Sequence, residues 1–92
     1  MHFSIFFHEK AVKELKKVDN SIRERIKKEI KELANNSEKG KHLHYCNFWS
    51  LRIGDYRAIY ELKKEEKTII ILHIGHRDNV YEDLRKIMAL NK

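Results

Sequence analysis

The chain has 92 residues, which fits a single domain over residues 1–92 and leaves no room for a deep cofactor cleft between two lobes. Lys and Arg number 20 against 14 Asp and Glu, a formal charge of +6; this favours RNA, DNA or acidic protein segments as partners but locates no site, because both halves are basic. Cys46 is the single cysteine, which excludes an internal disulfide, and no apolar run reaches the ~20 residues that span a bilayer, so a cytoplasmic protein with no membrane partner is expected.

Residues 3–7 are aromatic and β-branched and read as a first strand. From Glu9 the apolar period changes, and Ala11, Val12, Leu15 and Val18 fall on one helical face. Asp19-Asn20-Ser21 interrupts that helix, and Ser21 followed by Glu24 makes a capping-box pattern for a second one. Its apolar stripe is Ile22, Ile26, Ile30, Leu33 and Ala34, while Glu24–Lys28 and Lys28–Glu32 are spaced to pair along its wet side. Two helices joined this closely predict an αα-hairpin with one shared apolar side.

Asn35-Asn36-Ser37 and Gly40 mark a loop, after which the period becomes two. Residues 48–53 and 56–62 read as strands joined at Gly54-Asp55, a two-residue hairpin with Gly where a positive φ is needed. Residues 63–67 form a charged turn. Residues 68–74 are the most apolar strand, expected at the centre of the sheet, and Gly75 ends it. A last helix is predicted over residues 79–90, with Val80, Leu84, Ile87 and Met88 inward. The order β-α-α-β-β-β-α implies an α+β fold, an antiparallel sheet with the N-terminal helical hairpin on one face. Abundant Lys, Glu and Ile, with no Gln or Pro, is a bias of heat-adapted proteins.

Strand parity assigns faces. Trp49, Leu51 and Ile53 form one core set, Tyr56, Ala58, Tyr60 and Leu62 the next, and Ile70, Leu72 and Ile74 the third. Phe48, Ser50, Arg52, Arg57, Ile59, Glu61, Ile69, Ile71, His73 and Arg77 then share the other face. Arg52, Arg57, His73 and Arg77 converge there without matching carboxylates, an arrangement suited to phosphate, since guanidinium groups fork onto its oxygens and stay charged. Parity alone equally allows ordinary solvated arginines on an open sheet face.

The segment Leu51-Arg52-Ile53-Gly54-Asp55-Tyr56-Arg57-Ala58-Ile59-Tyr60 resembles the R-x-G-x-Y-R-x-x-Y core of the RelE/ParE superfamily of toxins from type II toxin–antitoxin systems. Residues 69–74, Gly75-His76-Arg77 and Val80-Tyr81 are similar to that family's closing strand and G-x-R…Y end. The resemblance covers nearly the whole chain. Its RelE-like branch implies a ribosome-dependent mRNA endoribonuclease (mRNA interferase) that works without metal or other cofactor and attacks the phosphate with the RNA's own 2′-hydroxyl. It implies Arg57 and Arg77 as the arginines that stabilise the transition state and leaving group, Tyr81 as the residue that positions or activates the nucleophile, and Arg52 as a grip on RNA. Ser50 stands where many members carry a second basic residue, and His44 where arginine is common; His44, His73 and His76 are the histidines able to fill the gap, since histidine titrates near neutrality. The implied partners are the ribosome, mRNA and a cognate RelB-like antitoxin, with a toxin–antitoxin heterotetramer among the assemblies allowed.

His42-x-His44 and His73-x-x-His76 resemble metal-ligand spacings, but no cysteine or carboxylate cluster completes either set, and His73 and His76 fall on opposite sides of a strand. No metal site is expected. Phe48 is the aromatic residue suited to base stacking. Two other readings stay open: a ParE-like inhibitor of DNA gyrase that cuts nothing, and a module that binds RNA without cleaving it. An acidic antitoxin is expected to cover the basic helix residues Lys16, Lys17, Arg25, Lys28 and Lys31 together with Arg52 and Arg57, anchored on Ile59, Ile71, Leu84, Ile87 and Met88.

Overall fold

A computed structural model of the chain describes residues 2–43 and 47–76, together with Arg85. The elements in order are β1 (Ser4–Phe7), α1 (Glu9–Lys16), α2 (Asn20–Glu32), β2 (Lys41–His42), β3 (Phe48–Ile53), β4 (Tyr56–Lys63) and β5 (Thr68–His76). The helix predicted over residues 79–90 lies, apart from Arg85, outside the described residues.

His8 carries the chain from strand to helix. Its N–H donates to the Ile71 carbonyl, 2.8 Å, and its Nδ1 caps α1 by accepting from the Lys10 N–H, 3.2 Å. At the other end Arg23 reaches back from α2 and donates to the carbonyls of Leu15 (3.2 Å), Lys16 (3.2 Å) and Val18 (3.0 Å), at and just past the end of α1, where helical carbonyls run short of partners. The hairpin therefore closes through a buried-side guanidinium as well as through its apolar stripe. The helix start differs from the expected capping box. α2 begins at Asn20 with Asp19 in the cap position and no side-chain cap bond, which places Ser21 inside the first turn. Along its wet side Glu24 pairs with Lys27 (3.6 Å) and Glu32 with Lys39 (2.6 Å) in place of the expected Lys28 pairs.

The five strands lie in the order β1-β5-β4-β3-β2. β2 through β5 are antiparallel neighbours, as a chain of tight turns requires, while β1 runs parallel to β5 across the long hairpin crossover. The apolar strand β5 is interior, flanked by β1 and β4. Gly54 turns the β3–β4 hairpin at φ 60, the left-handed conformation its position demands. The two-residue β2, which the sequence pattern leaves unassigned, pairs Lys41 with Ser50 and His42 with Trp49.

The helices cover one face. Ala11, Leu15, Ile26, Ile30 and Leu33 pack on Leu51, Ile53, Ala58, Tyr60, Leu62, Ile69, Ile71 and Ile74. The strand assignments for β3 and β4 match the alternation of the sequence. Those for the first part of β5 are reversed: Ile69 and Ile71 are in the core, while Ile70 and Leu72 are not. The cause is a β-bulge. Tyr60 pairs with Ile71 but its neighbour Ile59 pairs with His73, so Leu72 is an extra residue that shifts the alternation by one. Beyond it Ile74 points inward and His73 outward, as the alternation predicts.

Tyr60 fastens the loop between α2 and β2. Its hydroxyl donates to the Ser37 carbonyl, 2.8 Å, and accepts from the Gly40 N–H, 3.2 Å. Gly40 is needed for that approach, because a Cβ there would lie 2.8 Å from the Ser50 carbonyl oxygen and 2.9 Å from the Tyr60 hydroxyl. Burial pushes the Tyr60 phenol from 10.0 up to about 12. Folding thus favours the protonated phenol, and its contribution is complete below the unfolded value near 10 and is lost as pH rises towards 12. Tyr60→Phe should cost about 1–3 kcal/mol at pH 8, since it strands two backbone groups. Urea unfolding of both proteins should show this gap closing between pH 10 and 12; a gap that does not change over that range would contradict the buried, hydrogen-bonded phenol.

Candidate functional site

The sheet face turned away from the helices carries two adjacent cross-strand rows. One runs Ser50–Ile59–His73 across β3, β4 and β5, and the next runs Arg52–Arg57–Gly75. Directly paired side chains lie on the same side of a sheet, so Arg52 and Arg57 stand next to each other beside the Gly54 turn. Gly75 adds no side chain beside Arg57. Two like charges held opposite one another are unfavourable by themselves and favourable around an anion.

The two arginines are held differently. Arg52 is exposed, and its Nε donates to the Gly54 carbonyl at 3.4 Å. Arg57 is half-buried, and its Nη1 donates to the Ser50 hydroxyl at 3.3 Å. Its Nε is enclosed and makes no hydrogen bond among the described residues. Among those residues neither guanidinium forms an ion pair. The result is a fixed, permanently charged donor group whose neighbouring hydroxyl is neutral, so its charge is not cancelled where a ligand would meet it.

This face is less open than parity implies. Ser50 and His73 are only 4% and 2% exposed, and Ile59 is buried beneath Leu43 and Phe48. Ser50 therefore serves Arg57 and offers little surface to a polyanion. His73 lies at the β5 edge with Nδ1 2.6 Å from a Glu14 carboxylate oxygen. His76 sits on the other side of the sheet, paired with Tyr56, whose ring it meets edge-on at 5.7 Å. His42 stacks on Trp49 at 4.8 Å. Phe48 is occupied in packing on Ile59. Arg77, Tyr81 and His44 lie outside the described residues. The expected surface anchors Ile59 and Ile71 are both core residues, Ile59 under its own small cluster and Ile71 under the helices because of the bulge.

Glu14 is the residue of this region that the sequence pattern does not single out. Position alone carried no signal, because α1 lies 60 positions from its backbone partner Ile74. A second feature lies on the helix side: a groove of about 570 Å³ floored by Ile5, Phe7, Val12, Leu15 and Ile30 and rimmed by Lys16, Arg23, Lys27 and Lys31. Phe6 on the same edge strand is 57% exposed. No helix among the described residues is long and apolar enough to cross a membrane.

Comparison with known proteins agrees with these features. Residues 5–81 match the family described as the ParE toxin of the type II toxin–antitoxin system parDE. The mRNA interferase toxin RelE of Escherichia coli K12 is 27% identical over 92 residues, 94% of this chain and 97% of the relative. Toxin RelE3 of Methanocaldococcus jannaschii is 33% identical over 85 residues, 85% of this chain and 94% of the relative. Among solved structures, a chain of the toxin–antitoxin complex RelBE2 from Mycobacterium tuberculosis superposes with a TM-score of 0.77 at 26% identity, covering 84% of this chain and 100% of that one. The fold, the arginine pair beside the Gly54 hairpin and these likenesses together make this chain a member of the ParE toxin family of type II toxin–antitoxin systems, and within it a RelE-like toxin.

Proposed function

We propose that the chain is a ribosome-dependent, metal-independent endoribonuclease that cuts mRNA and thereby arrests translation and growth in the cytoplasm. The observation that carries this reading is the Arg52–Arg57 pair, one guanidinium exposed and the other braced by Ser50, with no carboxylate paired to either among the described residues. The names of its relatives as mRNA interferases support it. In the reaction the 2′-oxygen of the RNA bonds to the adjacent phosphorus as the bond to the 5′-oxygen breaks; the 2′-hydroxyl gives up a proton and the departing oxygen gains one. The products are a cyclic phosphate and a 5′-hydroxyl end. Charge accumulates on the non-bridging oxygens on the way, and Arg57 is the preorganised donor for it. Arg52 grips the strand. Arg77 at the leaving group and Tyr81 at the nucleophile complete the set by family likeness. A free phenol titrates at about 10 and is a poor base at neutral pH, so this role of Tyr81 requires help from positive charge. With His73 buried against Glu14 and His76 on the other side of the sheet, His44 is the histidine that family likeness leaves for the remaining proton transfer.

A second reading has a specific basis in the match to the ParE family: inhibition of DNA gyrase without RNA cleavage. Sequencing mRNA ends after expression separates the two. Codon-phased cuts support the nuclease, and a DNA-damage response without cuts supports gyrase inhibition. Arg57→Ala should lower cleavage by ribosomes programmed with mRNA by about 10²–10³-fold without unfolding the protein. Arg57→Lys should recover little, because an ammonium lacks the planar fork. Full activity of Arg57→Ala would remove the assignment. Cleavage should also survive zinc chelation; loss of activity on chelation would overturn metal independence.

The partner is an antitoxin of the RelB kind, which the solved toxin–antitoxin complexes of its structural relatives support. The groove floored by Ile5, Phe7, Val12, Leu15 and Ile30 has an apolar base and a cationic rim. It fits an acidic amphipathic segment of that antitoxin, which uses charge for encounter and apolar side chains for hold. Val12→Asp should weaken the co-purified complex by at least about tenfold while leaving the free toxin active, measured by titration calorimetry; an unchanged affinity would place the antitoxin elsewhere.

A further inference from the structure

β1 accompanies β5 only from Thr68 to Ile71, and the His8 N–H on the Ile71 carbonyl is the last backbone bond of that edge. Past this point β5 continues through the bulge to His76 with β4 on one side and, among the described residues, no strand on the other. Its outward amides still need acceptors. Glu14 of α1 meets that need at Ile74: one carboxylate oxygen accepts the Ile74 N–H at 3.1 Å, and the other lies 2.6 Å from His73 Nδ1. The anchored residues directly follow the bulge and immediately precede Gly75, the direct cross-strand partner of Arg57. The same strand end leads on to Arg77 in sequence.

We propose that Glu14 is a positioning residue for the arginine site: its carboxylate takes the place of the missing strand, locks the bulge at Leu72–His73, and so fixes the end of β5 against Arg57. A charged side chain spent on one strand amide and one nearly buried imidazole makes little sense as surface decoration. It makes sense where the strand must stop moving just before it delivers catalytic groups, because displacements near 1 Å cost about 10²-fold in rate. The inference deepens the nuclease reading and rests on it for the catalytic consequence alone; the mechanical claim stands on the contacts.

Glu14→Leu removes both contacts at similar volume, and Glu14→Gln keeps an acceptor for Ile74. Amide hydrogen exchange of the full chain tests the mechanical claim. Ile74 and Gly75 should lose protection in Glu14→Leu and keep it in Glu14→Gln, with α2 amides unchanged in both. On ribosomes Glu14→Leu should lower the maximal cleavage rate by about 10–10²-fold with KM within about twofold, Glu14→Gln should restore most of the rate, and Glu14→Leu should add nothing to Arg57→Ala. Should Glu14→Leu fail to fold, Glu14→Asn, too short to reach the strand, takes its place. Intact Ile74 protection in Glu14→Leu overturns the proposal whether or not the wild type cleaves RNA. Lost protection with an unchanged rate, or a loss spread equally over KM and rate, overturns the positioning role. A wild type that cuts no RNA defeats the nuclease reading and leaves the exchange result to decide this one.

Discussion

One extra residue in β5 governs what the two faces of the sheet are made of. Without Leu72 a single alternation would run through the strand, and no arrangement could put Ile69, Ile71 and Ile74 together under the helices. The three isoleucines bury completely or nearly so because the bulge resets the count between the second and third. The reset also sends His73 and Gly75 to the side that carries Ser50, Ile59 and Arg57. A strand that serves the core along its first half thus presents the functional face along its second, and the bulge lies at the changeover. Bulges bend a strand and leave backbone groups unpaired. Here the unpaired edge is taken up by a helix side chain, so the helical hairpin contributes to the arginine face although it packs on the opposite one.

The arginine site follows from what a chain of this size can build. A small domain cannot enclose a substrate, and its charges stay close to water, where Coulomb attraction is weak. Preorganisation is the remaining resource: donors whose positions are settled before the ligand arrives. Arg57 shows how this is done. The strand sets its backbone, Ser50 holds one terminal nitrogen, and the enclosure of Nε limits its rotamers. A carboxylate in place of Ser50 would brace the guanidinium more strongly but would neutralise it. A neutral hydroxyl on a buried position orients the group and leaves its charge uncancelled, as the proposed reaction at a phosphate requires. Ser50 thus has a structural use in this chain.

Much of this was readable from local pattern. The helix stripe from Ile26 to Leu33, the Gly54 turn and the alternation in β3 and β4 each depend on neighbours a few residues away, and each stands where periodicity puts it. The Arg52–Arg57 pairing followed, because a two-residue turn leaves one register. What periodicity missed was non-local. The run Ile69-Ile70-Ile71-Leu72 is apolar at every position, so nothing in it marks which residues face the core or where a bulge interrupts the count. The burial of Ser50 and His73, the edge contact of Glu14 and the parallel seating of β1 depend on segments brought together from distant parts of the chain. Capping failed for a different reason: Arg23 draws the hairpin together from within α2, and the helix starts two residues ahead of where the Ser21 pattern puts it.

The positions of the groove and the arginines constrain how a partner can silence this toxin. The groove belongs to the helix side, at the β1 edge, whereas Arg52 and Arg57 stand on the far face at the β3–β4 turn. A compact partner seated in the groove would leave the arginines uncovered. Covering both surfaces requires a chain that passes around the sheet, and an extended acidic segment meets that geometry at the cost of ordering itself on binding. The distribution of charge suits such a path. The groove rim is cationic, and so is the arginine pair at the other end, which gives an acidic chain attraction at both stations. Affinity from two linked contacts multiplies through effective concentration, so neither surface has to be large for the whole to hold. In the proposed reading a RelB-like antitoxin inhibits by reach, and the small size that leaves the proposed site shallow is what would let one chain pass around the domain.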